Sequence, residues 1–332
     1  MDGVLIALRI RHLTLSLIWH KLRPILSWRI LSVPLTRPRH ALIALAVLMV
    51  GGCGPAASPS PSSSGAPIAV LGAENFYADL LAEIGGSRVT ASSILNDPSA
   101  DPHEYEASPA AAKLVADSKV VIVNGIGYDD FMNKLLSAST KPDRIVINVQ
   151  DILGVKDDVN VHVWYDPATM PKVAEAATAA LAKIDPQNAA YFADGKAKYL
   201  AALKPFNDKV ATLKSKYAGA PVAFTENVAG YLTDAIGLKV LTPPAFMEAI
   251  ESGTDPAPAD VAEERDLLTG RKVKALLYNS QVTSPLTEQI RALAVQNNVP
   301  VVALAETIPA NFKTFREWQL AQLDELEKAL AK

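Results

Sequence analysis

The feature that most restricts the fold is an alternation that occurs twice. In the first series, short β-branched or apolar runs at 68–71, 89–95, 120–123 and 144–147 are separated by segments of helical period at 76–84, 107–116 and 128–136. Asp166-Pro167 offers a cap and a first-turn proline for a further helix reaching about residue 184. In the second series, strand-like runs at 222–224, 238–241, 273–277 and 299–304 alternate with helical patterns at 228–236, 259–268, 286–296 and 314–330. Between the two lie residues 187–217, rich in Lys and Ala, which as one helix would span about 46 Å at 1.5 Å per residue. Pro205 should kink that helix or mark a junction within it. The pattern predicts two α/β lobes with mainly parallel sheets, residues 67–186 and 218–332, joined by a linking helix over 187–217. No close internal repeat is visible.

Residues 41–50, Ala-Leu-Ile-Ala-Leu-Ala-Val-Leu-Met-Val, follow Arg37 and Arg39 and precede Gly51-Gly52-Cys53. A basic flank, a short apolar run and small residues are the parts of a secretory leader, and the run is shorter than the about 20 residues of a spanning helix. Residues 1–52 are therefore expected to be a leader. Within it, 1–36 is broken by Arg9, Arg11, Lys21, Arg23 and Arg29, which reads as a start assigned too far upstream, with a long leader as the alternative. Val50-Gly51-Gly52-Cys53 resembles the lipobox of bacterial lipoproteins, which makes Cys53, the only cysteine, the expected site of lipidation. Residues 53–66, rich in Pro, Ser and Gly, read as a flexible tether.

Dividing the chain at Cys53 changes its charge. Seven basic residues and one acid precede it, so removing that net +6 from the −3 of the whole leaves −9 for the remainder. An acidic chain argues against nucleic acid as a partner and suits a cation. Three of the five histidines fall in the leader. The other two, His103 and His162, lie in polar loops that carry Asp or Glu, a placement compatible with a hydrogen-bonded surface role or with a metal. No HExxH, GxSxG, GxxxxGK[ST] or strand-linked GxGxxG occurs.

Asp101-Pro102-His103-Glu104-Tyr105-Glu106 and His162-Val163-Trp164, in that order, resemble the loops of the bacterial metal solute-binding proteins (family 9, zinc/manganese type), the extracytoplasmic receptors of ABC importers. The similarity continues through Asn124-Gly125 with Tyr128, Phe224-Thr225-Glu226-Asn227, Tyr278-Asn279-Ser280-Gln281 and Ala305-Glu306-Thr307-Ile308-Pro309. It implies two Rossmann-like lobes with one divalent ion in the cleft, held by His103, His162, Glu226 and Glu306. Glu306 stands where the family usually has aspartate and is one methylene longer. Both glutamates follow predicted strands, at the carboxyl ends where α/β sheets place ligands. Asp101, Glu106 and Asp166 are candidates to orient the ligand imidazoles.

The resemblance implies a non-catalytic receptor, monomeric and lipid-anchored on the outer face of the membrane, that delivers its ion to an ABC permease. Carboxylates draw the site toward Mn²⁺ or Fe²⁺, while raw affinity favours Zn²⁺ over Mn²⁺. The competing readings are a metal-dependent hydrolase, which would need an open coordination position, and an adhesin or structural lipoprotein.

Overall fold

The computed structural model describes residues 65–97, 102 and 105–332. The leader, Cys53 and most of the tether lie outside them, as do Asp101 and His103. No helix among the described residues is long and apolar enough to cross a membrane.

The first sheet is built from β1 (Ile68–Glu74), β2 (Val89–Leu95), β3 (Val120–Val123) and β4 (Ile145–Asn148), all parallel, in the order β2-β1-β3-β4. All four residues of β3 are buried, as expected of a central strand covered on both faces. Helices α1 (Asn75–Gly85), α2 (Pro109–Asp117), α3 (Phe131–Ala138) and α4 (Val149–Leu153) belong to this half. The chain turns from β1 into α1 so sharply that a Cβ at Gly72 would lie 2.4 Å from the backbone nitrogen of Ala78. Glycine is therefore required at the corner that delivers Glu74 and Asn75.

The second sheet repeats that arrangement. Its strands β5 (Pro221–Phe224), β6 (Lys239–Val240), β7 (Leu276–Asn279) and β8 (Val301–Leu304) are parallel in the order β6-β5-β7-β8. They alternate with α8 (Gly230–Ile236), α9 (Pro244–Glu251), α10 (Pro258–Thr269) and α11 (Pro285–Gln296), and α12 (Phe315–Leu330) closes the chain.

One expectation is corrected and another is refined. The helix after the first sheet, α5 (Thr169–Ile184), is not capped by Asp166. Residues Val163–Tyr165 form a buried 3₁₀ turn, and the Asp166 carboxylate accepts the backbone N–H of Ala168 at 2.9 Å, which delays the helix start. The linking segment is two helices, α6 (Ala189–Ala202) and α7 (Lys204–Tyr217), rather than one, and Pro205 marks the expected junction from the first turn of the second, where its missing N–H costs nothing.

Ladder registers expose a short internal repeat. Placing Glu74-Asn75 on Glu226-Asn227 also superposes Val70 on Val222, Leu80 on Leu232, Ile84 on Ile236 and Gly85 on Gly237. Gly72 then matches Phe224, whose ladder partners are Ile122 and Leu277 respectively; two residues further along lie Asn124 and Asn279.

The main core runs through both halves. Phe76 stacks on Trp164 at 4.8 Å between ring centroids, Tyr165 meets Trp318 edge-on at 5.9 Å, and Phe315 meets Trp318 at 5.8 Å. These rings join α1 and the 163–165 turn to the final helix in one continuous aromatic layer.

A satellite core in the second lobe contains Leu267 and Leu268, and the same helix buries Glu264 completely. Burial lifts the Glu264 carboxyl to about 7. The folded chain thus retains a proton that the unfolded chain has lost above about pH 4.5, so stability falls as pH rises through about 4.5 to 7. Glu264→Gln should remove that slope. At pH 8 it should add up to about 3 kcal/mol, a gain of several degrees in Tm, with little change at pH 4.5. Melts at both pH values check this, and an equal shift at the two would refute it.

Candidate functional site

Glu226 lies two residues beyond the end of β5, and Glu306 two residues beyond the end of β8. Both stand at the carboxyl edge of the second sheet. His162 lies immediately before the 163–165 turn. All three side chains are fully buried, and one donor atom from each lies within 4.8 Å of the others. Nε2 of His162 is 3.3 Å from Glu306 Oε2 and 3.7 Å from Glu226 Oε1.

A small set of neutral side chains organises this group. Asn279, the last residue of β7, donates its Nδ2 to Glu226 Oε2 and to Glu306 Oε1, each at 2.7 Å. The Tyr128 hydroxyl donates to Glu306 Oε2 at 2.9 Å. Gln281 holds the backbone around Glu306, its Oε1 accepting the N–H groups of Glu306 at 2.5 Å and Thr307 at 3.0 Å. On the opposite side, Asn160 Oδ1 lies 2.8 Å from His162 Nδ1. An amide oxygen can only accept, so Nδ1 carries a proton, and Nε2 is the ring nitrogen that faces the glutamates.

Burial by itself would lower the His162 pKa, but the nearby Glu306 and Glu226 carboxylates outweigh it and hold the imidazole above its ordinary value. Burial, followed by the negative charge of Glu306, pushes the Tyr128 phenol well up, so it remains a donor. Two buried carboxylates beside an imidazole nitrogen form a donor set that a cation can bridge. Oxygen and imidazole nitrogen suit a first-row divalent cation.

A cleft of about 540 Å³ borders the group, lined by Tyr128, Asn160 and Val161 on one side and Asn227, Met247 and Glu251 on the other. Asp157, Asp158 and Glu248 add further negative charge to its walls, and Glu251 also contributes to the raised pKa of His162.

Of the residues singled out from sequence, His162, Glu226 and Glu306 converge here, whereas His103 and Asp101 lie outside the described residues. Glu106 is exposed, and Asp166 turns to its own backbone. Asn160, which sequence reasoning did not single out, faces Nδ1 of the imidazole. Asn279 was quoted only as part of a motif, and its central position becomes legible once it is seen to occupy the place of Asn124 in the repeat.

A family model described as zinc-uptake complex component A, periplasmic, matches residues 70–329. The manganese-binding lipoprotein MntA of Halalkalibacterium halodurans is 26% identical over 203 residues, which is 59% of this chain and 66% of that protein. The manganese ABC transporter substrate-binding lipoprotein PsaA of Streptococcus mitis is 22% identical over 323 residues, 88% of this chain and 97% of that one. Among solved structures, the periplasmic zinc binding protein TroA from Treponema pallidum aligns over 81% of this chain and 100% of its own, at a TM-score of 0.68 and 19% identity, and so shares the two-lobed fold. With the model matched across both sheets and the final helix, the chain belongs to the family of the zinc-uptake complex component A, periplasmic.

Proposed function

We propose that this protein is an extracytoplasmic receptor that captures one divalent transition-metal ion in the interlobe cleft and delivers it to the permease of an ABC importer. The observation that carries this reading is the convergence of His162, Glu226 and Glu306, fully buried, on a single point. Such a cluster of negative charge is costly in a dry interior unless a cation joins it. The relatives named above, a manganese-binding lipoprotein and a manganese transporter lipoprotein, support the same cargo class.

In this reading His103 supplies the fourth ligand, residues 67–186 and 218–332 form the two lobes, and Cys53 carries the lipid that anchors a monomer to the membrane. Two carboxylates favour Mn²⁺ or Fe²⁺ on grounds of hardness, while Zn²⁺ competes through its higher intrinsic affinity. The ion is cargo, and the protein performs no chemistry on it.

Elemental analysis of untagged protein, followed by competitive titration of the chelator-stripped form with Mn²⁺ and Zn²⁺, tests the reading. One ion per chain is expected. Absence of stoichiometric binding, or metal-dependent turnover of esters, would overturn it. Cys53→Ala should move the protein from the membrane to the soluble fraction and leave the titration curve unchanged; continued membrane retention would sink the anchor.

A further inference from the structure

We propose that two interlobe braces, Asn160 to Asn227 and Asn75 to Ile308, position His162 and Glu306 and thereby set how long a bound ion is held. The inference rests on the receptor reading and adds residues that are not ligands themselves.

The first brace runs through Asn160. Its Oδ1 accepts the backbone N–H of His162 at 2.9 Å and also faces Nδ1 of the imidazole. Its Nδ2 donates to the backbone carbonyl of Asn227 at 2.6 Å, next to Glu226 on the far side of the cleft. Tyr231 reinforces the tie, its hydroxyl donating to the Asn160 carbonyl at 2.9 Å. One side chain therefore fixes the imidazole tautomer and fastens it to the opposite lobe. Space for this contact depends on Gly230, where a Cβ would lie 2.3 Å from Asn227 Oδ1 and 3.0 Å from Asn160 Nδ2.

The second brace runs in the opposite direction. Asn75, the first residue of α1, donates Nδ2 to the Ile308 carbonyl at 3.0 Å and accepts the Ile308 N–H at 2.9 Å. Ile308 is two residues past Glu306. The same face of α1 continues the contact at four-residue intervals: Asp79 accepts the Phe315 N–H at 2.9 Å, and Glu83 pairs with Arg316. The segment that carries Glu306 is thus tied to a first-lobe helix that provides no ligand.

Asn75 and Asn227 occupy equivalent places in the internal repeat, each directly after a glutamate. Each corner reaches into the opposite lobe, and each contact falls two residues from a side chain of the ion group. An ion gripped from both lobes leaves only when one set of ligands withdraws, and withdrawal must break a brace. The three side chains of the ion group are fully buried, so entry needs the same parting, and the braces should govern exchange in both directions.

The test is a chelator chase of Mn²⁺-loaded full-length protein. Asn75→Ala and Gly230→Ala should each release the ion about tenfold faster, in the range found when groups supporting metal ligands are removed. Both should still bind one ion per chain. Asn160→Asp keeps the acceptor for the imidazole but loses the donor to Asn227. A carboxylate there would by itself strengthen the imidazole as a ligand and slow release, so faster release reports the lost tie. Where circular dichroism shows Asn75→Ala to be unfolded, Asn75→Ser takes its place. Release at the wild-type rate in all three variants, or slower release in Asn160→Asp, overturns the braces. A wild-type protein that binds no ion overturns the receptor reading instead.

Discussion

Glu226→Gln is expected to weaken Mn²⁺ binding by on the order of a thousandfold, about 4 kcal/mol, and to raise the melting temperature of the ion-free protein. The two effects share one cause. Glu226 and Glu306 are fully buried, and both lean on the single Nδ2 of Asn279. With an ion between them their charges are compensated. Without it the two like charges repel, and replacing one of them by a neutral amide of the same shape removes that repulsion, a gain on the order of 1–4 kcal/mol at the effective dielectric of a protein site. The glutamine oxygen can still accept from Asn279, while its new N–H₂ can donate toward Glu306. At 2–4 °C per kcal/mol for a chain of this size, the ion-free variant should melt several degrees higher. Calorimetry of the stripped proteins, paired with titration, reads both quantities. An ion-free variant that melts lower than wild type would show that Glu226 serves the fold rather than the ion.

That opposition between binding and stability explains why the site was only partly legible in the sequence. Glu226 and Glu306 could be placed because each closely follows a strand, and strand ends follow from β-branched runs that the chain displays openly; β2 and β3 lie where those runs predicted. Nothing local marks Asn279 or Asn160. Each is a polar residue in a polar stretch until the sheets bring residues 128, 160, 162, 226, 279 and 306 together, a convergence that belongs to tertiary structure alone. Asp166 shows the converse: a residue with a good local signal for capping was claimed by a competing contact, because burial of Val163, Trp164 and Tyr165 in a tight turn takes precedence over an earlier helix start. The repeat relating the two sheets was hidden for a similar reason. Its matched positions are few, and only the ladder registers show that Asn124 and Asn279 occupy the same place.

Trp164→Ala should be the most damaging single change in the first lobe, costing about 3–5 kcal/mol and roughly 10 °C or more in melting temperature. Trp164 is 1% exposed and touches the ion group and the core at once. It stacks on Phe76, meets Tyr128 at 4.9 Å and His162 at 5.2 Å between ring centroids, and borders Tyr165. Truncation would leave a cavity beneath the two side chains that face Glu306, so ion affinity should fall together with stability. Trp164→Phe separates the contributions. The indole N–H has no hydrogen-bond partner among the described residues, so phenylalanine removes an unsatisfied polar group while keeping most of the apolar contact. Its stability cost should be less than half that of alanine, and its affinity close to wild type. If Trp164→Ala loses stability but binds Mn²⁺ as tightly as wild type, His162 and Tyr128 are held in place without the indole, and Asn160 and Glu306 alone account for their positions.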